Sequence, residues 1–372
     1  MNITRLTLSD FRNHASLRME PSCALICLHG PNGAGKTNIL EAISLLVPGR
    51  GLRTQDFHLL ARIEGEGEWA VAAEAQTPQG EVRIGTSFDG GVDTTRKTAV
   101  DGHLLKSSGA LSSYLKMLWL TPAQDRLFMG PVSERRRFFD RMVASFNEAH
   151  LMHVSNFEKL MRERNALLQQ PRMDEIWAAT LEDQMAEQAI AIAAARNEAA
   201  AMLAKHFANG AVQGPFPWGV LQLHGEIEDL VAAFPAVQAE DKYAKILADS
   251  RGLDRSQQRT MRGPHRADIS VLHGPKSMPA ELCSTGEQKA LLIGLILAQA
   301  QAAKEVLGFA PILLLDEVAA HLDETRRRGL FASLTALGCQ AWMTGTDENL
   351  FGEAGLSACH YEVKDGTVYV RD

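Results

Sequence analysis

Residues 1–10 alternate apolar and polar side chains with a period of two, which predicts a strand with one buried face. Residues 24–28 are an apolar run, as in a strand buried on both faces. A glycine-rich loop follows, and residues 37–47 carry helical spacing up to Pro48-Gly49, a helix stop. Between 57 and 105 short alternating runs occur at 69–75, 81–88 and 98–100. Asp89-Gly90-Gly91 and Asp101-Gly102 are hairpin signals, so this stretch predicts a small antiparallel meander. Residues 117–120 read as one further strand.

The pattern then changes. Residues 134–207 are rich in Ala, Leu, Met, Glu, Gln and Arg at helical spacing. Pro171 divides them into two long helices, an antiparallel hairpin whose second member ends at Asn209-Gly210. Residues 215–223 look extended, and helices resume over 237–258. After Asp268 the α/β character returns: a helix at 284–303, a buried strand at 311–315, a helix at 325–337 and a strand at 340–344. Two short strands, 360–363 and 368–371, close the chain. The expected organisation is an α/β domain in two halves, 1–130 and 263–372, with a helical arm at 131–262 inserted between them.

Composition narrows this further. With 372 residues, 45% hydrophobic and 22% charged, the chain has a core and is not disordered. The most apolar run, 291–298, is too short to span a bilayer, and residues 1–10 lack a signal-peptide apolar block, so a cytoplasmic location is expected. The formal net charge of −7 leaves room for nucleic-acid binding only through a local basic patch. The five cysteines, Cys23, Cys27, Cys283, Cys339 and Cys359, include no C-x-x-C pair. Their odd number predicts buried, reduced thiols rather than a disulfide frame or a zinc site.

Candidate chemistry lies near both ends. Gly30, Pro31, Asn32, Gly33, Ala34, Gly35, Lys36 and Thr37 fit G-x-x-x-x-G-K-[ST], with a strand before and a helix running on through Asn38. Such a loop curls its N–H groups around a phosphate at a helix N-terminus, where the dipole favours negative charge. Lys36 adds a point charge toward the β and γ phosphates, and the Thr37 hydroxyl suits Mg²⁺. At the other end, residues 311–315 run into Asp316 and Glu317. A buried strand ending in a carboxylate places it at the sheet edge where nucleotides bind. Asp316 is the expected Mg²⁺-side acid, and Glu317 the group that orients or deprotonates water. ATP and Mg²⁺ are therefore the expected cofactors.

A third element, Ser284, Thr285, Gly286, Glu287 and Gln288, opens the helix before the acidic strand. By pattern alone it reads equally as a capping box of Ser284 with Glu287 or as a phosphate-facing signature. The order of the three motifs, with about 280 residues between the first and the acidic strand, is that of an ABC-type ATPase head carrying an insertion.

Beyond these motifs, the chain resembles the RecF family of bacterial recombination and repair ATPases over nearly its whole length. The resemblance is carried by Asp10 to Asn13, Gly30 to Ala42, Gly130, Arg135, Arg136 and Asp140, then by Arg262 to Asp268, Ser284 to Ala290 and Leu313 to Asp323. The block Arg262-Gly263-Pro264-His265-Arg266-Ala267-Asp268 sets it apart from general ABC ATPases. The resemblance implies a head with a helical arm, an ATP-dependent homodimer, slow hydrolysis and binding to double-stranded or gapped DNA. It also implies work with RecO and RecR to load the RecA recombinase. In such dimers the signature of one subunit covers the γ-phosphate held by the other, which makes Ser284 catalytic beside Lys36 and Glu317. Asp323 matches the dimer-facing acidic turn, and Gln124 occupies the Q-loop region as a Mg²⁺ or water contact, where relatives usually carry an acid. A switch histidine is lacking after the last core strand. Thr346 or Asp347 plays that part, or the two cap the helix beginning near Glu348. The signature's Thr285 and Glu287 depart from the glycines of transporters.

DNA contacts are sought among arginines. Arg251, Arg255, Arg259, Arg262 and Arg266 fall within sixteen residues, with spacings of three and four that place several on one helix face. Arg135, Arg136, Arg137 and Arg141 form a second group, and Arg326 to Arg328 a third. Arg251, Arg255, Arg259, Arg262 and Arg136 are the expected phosphate contacts, with solvated helix faces or internal pairing as the alternative; Arg266 would otherwise face nucleotide across a dimer. Two other functions fit the motifs: a motor subunit coupled to a non-DNA partner, and a scaffold in which ATP is structural.

Overall fold

The computed structural model describes residues 1–90, 95–209, 215–320, 322–355 and 358–371. The chain divides into two compact units: residues 1–125, 210–216 and 292–372 form the first, and residues 126–209 and 217–291 the second.

The first unit holds two six-stranded sheets. One is antiparallel, ordered β2-β1-β4-β5-β6-β7. Its strands are β1 (Asn2–Phe11), β2 (His14–Met19), β4 (Trp69–Thr77), β5 (Gly80–Phe88), β6 (Lys97–Val100) and β7 (His103–Leu104). This is the expected meander, extended by β1 and by β2, which the sequence pattern did not reveal. The β1–β2 turn places Asp10 and Arg12 at positive φ, conformations without a local glycine to signal them. Of the Asp89-Gly90-Gly91 hairpin signal, Gly91 lies outside the described residues.

The other sheet is ordered β15-β14-β3-β13-β12-β8. It comprises β3 (Leu25–His29), β8 (Met117–Leu120), β12 (Ile312–Leu315), β13 (Ala341–Gly345), β14 (Ala358–Lys364) and β15 (Thr367–Arg371). Every pairing is parallel except β14–β15. Every residue of β3, β12 and β13 is buried, which is why they read as apolar runs without alternation. Parallel pairing also brings the C-terminal ends of β3, β8, β12 and β13 to one edge. Helix α1 (Lys36–Ser44) follows β3, and α8 (Glu324–Leu337) follows β12. The hydrophobic core joins both sheets to α1 through residues such as Leu6, Phe11, Ile26, Ile39, Leu40, Trp69, Leu314 and Trp342.

The second unit is mainly helical: α2 (Val132–Ala144), α3 (His150–Leu168), α4 (Glu175–Asn209), α5 (Glu226–Ala233) and α6 (Ala236–Gln257). The expected two-helix hairpin is three helices. Besides the break near Pro171, the chain leaves helix after Ala144, where the Ser145 hydroxyl donates to the Met142 carbonyl and Asn147 Oδ1 accepts the Ala149 N–H. Such local side-chain bonds compete with helix continuation. Gly210, expected to end α4, lies outside the described residues. The unit also contains a small sheet, β11-β10-β9, of β9 (Gly219–His224), β10 (Asp268–His273) and β11 (Met278–Pro279). Its core packs Phe157, Met185, Ala189, Ile190 and Tyr243 together. A buried Arg164 bonds Glu182 and Asp254 at 2.9 and 2.8 Å.

Helix α7 (Thr285–Leu307) begins in the second unit and continues in the first. By length and composition it could cross a membrane, but 61% of its most apolar window is buried inside the fold, as in a core helix.

One cysteine expectation is corrected. Cys27, Cys283 and Cys339 are free and buried, whereas Cys23 and Cys359 are disulfide-bonded. The parallel pairing of β14 with β3 brings the two together, and an odd count does not reveal a partner so distant in sequence.

Candidate functional site

The glycine-rich loop leaves β3 and enters α1. Gly30, Gly33 and Gly35 have φ of 146°, 81° and 113°, a range that side chains disfavour. Space is a second constraint at two of them. A Cβ on Gly30 would lie 2.1 Å from the Val363 carbonyl oxygen, and one on Gly35 2.7 Å from Asn13 and His14. Pro31, Asn32 and Gly33 are exposed, Ala34, Gly35 and Lys36 are buried, and Thr37 and Asn38 are half-buried. The Lys36 ammonium donates to the carbonyls of Gly30 (2.6 Å) and Pro31 (2.9 Å), folded back across its own loop. Burial lowers its pKa, against the opposing pull of Glu317 and Asp316.

The loop is braced from behind by residues its motif does not contain. Asn13 Nδ2 donates to the Ala34 carbonyl and Asn38 Nδ2 to Asn13 Oδ1. His14 is fully buried, with one ring nitrogen 2.7 Å from the Gly366 carbonyl and the other 3.2 Å from that of Gly35. Arg12 forms a two-pronged bond to the buried Glu41 of α1. The segment Asp10 to Asn13 thus meets the loop through the β1–β2 turn.

The acidic strand end arrives from the other end of the chain. Asp316 Oδ1 accepts two hydroxyl bonds, from Thr37 at 2.8 Å and from Thr344 at 2.7 Å. Thr344 Oγ also accepts the Glu317 N–H at 2.8 Å. Glu317 sits at φ 49°, a strained conformation for a non-glycine residue. Thr344, at the end of β13, therefore fixes both acids. Sequence reasoning assigned it no role, though it opens the segment searched for a switch histidine, Thr344 to Asp347. Asp347 accepts the Asn349 N–H and side-chain N–H at 2.8 and 2.7 Å, the capping role among the two expected for it.

Gln124 lies just past β8, on the same sheet edge. The Asp316 N–H donates to the Leu120 carbonyl, and Gln124, buried, accepts the Thr121 N–H at 2.8 Å. No cluster of three or more His, Cys, Asp or Glu suited to a metal occurs among the described residues. One carboxylate with the Thr37 hydroxyl is instead the oxygen donor set that suits Mg²⁺, an ion that usually keeps waters and takes phosphate oxygens as further ligands. Asp323 is exposed and caps α8, accepting the Arg326 N–H at 2.8 Å.

The signature residues lie in the second unit. Ser284 and Thr285 are exposed, Gly286 and Glu287 half-buried, and Gln288 buried. The Ser284 N–H and hydroxyl both donate to Glu287, at 3.0 and 2.9 Å, and Gln288 Nε2 donates to the Cys283 carbonyl at 2.9 Å. Only half of the capping box is formed: Glu287 accepts the Ser284 N–H, but the Glu287 N–H goes to the Ser284 carbonyl and not to its hydroxyl. Lys276 pairs with Glu287 and, with Ser284, holds its carboxyl down to about 2.

The arginines separate by partner. Helix α6 ends at Gln257, so of the five between 251 and 266 only Arg251 and Arg255 share it. Arg251 is bound by Glu182 and Glu175, and Arg262 pairs with Glu226. Arg255 and Arg259 are exposed, Arg255 donating to the Gln170 carbonyl. Arg136 donates to the Ala267 carbonyl at 3.1 Å. Arg327 and Arg328 pair with Glu353 and Glu324, and Arg135 with Asp268.

The block Arg262 to Asp268 is a scaffold for the helical unit. Its backbone carbonyls at Arg262, Pro264 and Ala267 accept from Tyr243, Arg196 and Arg136. The His265 ring stacks on Phe157, with 5.8 Å between centroids, and its Nε2 bonds the Thr260 carbonyl at 3.0 Å. Arg266 is exposed.

Comparison with known proteins agrees with this architecture. The family profile for the RecF/RecN/SMC N-terminal domain matches residues 2–367. The DNA replication and repair protein RecF of Mesorhizobium japonicum is 46% identical over 368 residues, covering 99% of this chain and 97% of that protein. The RecF of Rhizobium etli strain CIAT 652 is 47% identical and covers 99% of both. Among solved structures, the recombination mediator protein RecF-ATP in the RecFOR pathway superposes with a TM-score of 0.87 at 22% identity, over 100% of this chain and 97% of that one. An Smc head domain from Pyrococcus furiosus, bound to the C-terminal domain of ScpA, gives 0.55 at 16% identity, over 99% and 95%. The fold is that of the RecF and SMC ATPase heads, and the chain belongs to the RecF family of DNA replication and repair proteins.

Proposed function

We propose that this protein is a Mg²⁺-dependent ATPase of recombinational repair that closes as an ATP-bound homodimer on double-stranded or gapped DNA and opens on slow hydrolysis. The observation that carries this reading is the bond between Thr37 and Asp316, 2.8 Å across 279 residues of sequence. It sets the phosphate loop and the acidic strand end on one site.

In the nucleotide state the curled N–H groups from Gly30 to Thr37 take the phosphates, and Lys36 exchanges its two carbonyl bonds for phosphate oxygens. Asn38 supports the loop through Asn13. Thr37 and Asp316, with Gln124 on the same edge, would hold Mg²⁺, which when bound would supply charge neutralisation to the phosphates. Glu317, its backbone fixed by Thr344, orients a water and accepts its proton as the water oxygen attacks the γ-phosphorus and ADP leaves. Ser284, Thr285 and Gly286 of one subunit face the γ-phosphate held by the other, with the buried Gln288 bracing that turn through the Cys283 carbonyl and Asp323 at the dimer surface. For that contact the Ser284 hydroxyl must leave Glu287. The RecF structure compared above is described as part of a RecFOR pathway, and RecO, RecR and RecA are the partners we assign here, in the cytoplasm. Arg255, Arg259 and Arg136 are the DNA contacts, Arg251 and Arg262 being committed to carboxylates.

Sedimentation with and without ATP–Mg²⁺ and gapped duplex tests this. Lys36→Ala abolishes nucleotide binding and dimer formation. Glu317→Gln keeps both and prolongs the dimer, with turnover lowered by about 10²–10⁴-fold. A Glu317→Gln protein that stays monomeric with saturating ATP–Mg²⁺ would end the sandwich reading.

A further inference from the structure

The helical unit is rich in arginine, and most of its buried guanidinium groups meet a carboxylate. Arg164 pairs with Glu182 and Asp254, and Arg196 with Asp140 and Glu228. Arg136 differs. It is half-buried, yet its one hydrogen bond among the described residues goes to a neutral carbonyl, that of Ala267. Burial and the nearby Arg196 lower its pKa, against weaker opposing pulls from Asp140, Asp268 and Glu158. Asp140 is already engaged elsewhere: Oδ1 accepts from His150 and Arg196 Nε, and Oδ2 from Arg196 NH2. Asp268 is taken in the same way by Arg135. A cation drawn out of water without an anion of its own is unfavourable, and a ligand anion relieves it.

There is room for one. Arg136 lines a cavity of about 300 Å³ together with Arg137, Phe157, Glu158 and His265. Arg137 is exposed, and its one hydrogen bond among the described residues is from Nε to the Ser133 carbonyl at 3.2 Å. Two guanidinium forks on consecutive residues of α2 match the oxygens of a phosphate better than a single ammonium would. Glu158, exposed on the same cavity, limits the local positive charge, so the site takes a single phosphate group rather than a polyanion cluster.

We propose that Arg136 and Arg137 hold one phosphate oxyanion at this cavity, and that in the working protein it is a backbone phosphate of duplex DNA. The source of the phosphate rests on the DNA-binding reading above; the anion site does not. A contact of this kind fixes position and is indifferent to base sequence.

The test is fluorescence anisotropy of the full chain on labelled duplexes of unrelated sequence over a salt series. It compares the native protein with Arg137→Ala, Arg136→Gln and, as a control, Arg251→Gln. Each of the first two lowers affinity by about 3–10-fold on every duplex and makes the slope of log K against log salt shallower by about 1. Arg251→Gln leaves the slope unchanged. Arg137→Ala alters an exposed side chain and carries the test if Arg136→Gln does not fold. In parallel, inorganic phosphate is titrated into histidine-labelled protein while the His265 ring resonances are followed. They shift in the native protein and not in Arg137→Ala. If the native protein binds duplex and Arg137→Ala keeps the full slope, the DNA-phosphate site is wrong while the DNA-binding reading stands. If the native protein binds no duplex, that reading fails. A His265 shift then retains the anion site with free phosphate as its ligand, and no shift removes the site as well.

Discussion

Asp316 is held by two hydroxyls, one from the loop it serves and one from the neighbouring strand. Removing the second separates positioning from binding. Thr344→Val leaves the Glu317 N–H without its acceptor, a loss of about 1–3 kcal/mol, and frees Asp316 on one side. Turnover falls about tenfold or more while ATP affinity stays within about threefold, and Thr344→Ser restores turnover. Steady-state hydrolysis beside equilibrium nucleotide binding reads this, and an unchanged turnover in the valine protein would remove Thr344 from the site. The phosphate loop was legible because every fixed position of its motif has a chemical reason. Thr344 was not, because a threonine inside an apolar strand has no pattern of its own. His265 shows a different limit. Its place in a family block says nothing of charge, yet burial holds its pKa down at about 4 in the fold against the ordinary 6.5. The unfolded chain therefore binds this proton more readily, so stability rises with pH between about 4 and 6.5 and is lost on acidification through that window. The contribution is on the order of 3 kcal/mol. Urea unfolding at pH 7, 5.5 and 4.5 shows it, and His265→Gln flattens the dependence; equal slopes in the two proteins would exclude His265 as its source.

At the scale of elements, the buried parallel strands and α7 were readable from uninterrupted apolar runs and helical spacing. What escaped was decided by partners. Strand β2 exists because a turn at Arg12 and Asn13 returns the chain onto β1, and β10 because it pairs with β9 across an intervening pair of helices. The signature illustrates how one pattern supports two readings. Its Glu287 accepts both the N–H and the hydroxyl of Ser284, half of a capping box, and the hydroxyl engaged there is the one that a γ-phosphate would need. Glu287→Ala removes the cap, so the first-turn amides of α7 exchange about fivefold faster, matching a capping loss of about 1 kcal/mol. The folded pKa of Glu287 lies near 2, below the usual carboxylate value. Its stabilisation is therefore present above about pH 4.5 and disappears only as pH falls through about 2. Native exchange protection that declines between pH 8 and 5 would contradict this account of the helix start.

At the scale of the whole molecule, the first unit is closed by segments from opposite ends of the chain. Gln340 bonds both the N–H and the carbonyl of Ile3, at 2.8 and 2.9 Å across 337 residues. Gly366 N–H donates to Ala34 in the phosphate loop. The Cys23–Cys359 disulfide spans 336 residues and ties β14 to the entry of β3, the strand that delivers that loop. No local pattern exposes such a closure, which is why cysteine arithmetic gave the wrong expectation here while the motif order gave the right fold. The bond excludes the most extended unfolded chains, and for a loop this long its loss costs about 2–5 kcal/mol. Reduction, or Cys23→Ser, therefore lowers the unfolding midpoint of the oxidised protein. Because β14 meets Gly30 through the Val363 carbonyl, ATP affinity weakens with it, by about two- to fivefold. Differential scanning calorimetry with and without reductant, beside thiol counting on the folded protein, decides the matter. Five alkylatable cysteines after denaturation without reductant, with a midpoint that reductant does not move, would show that the two thiols stand adjacent but unbonded.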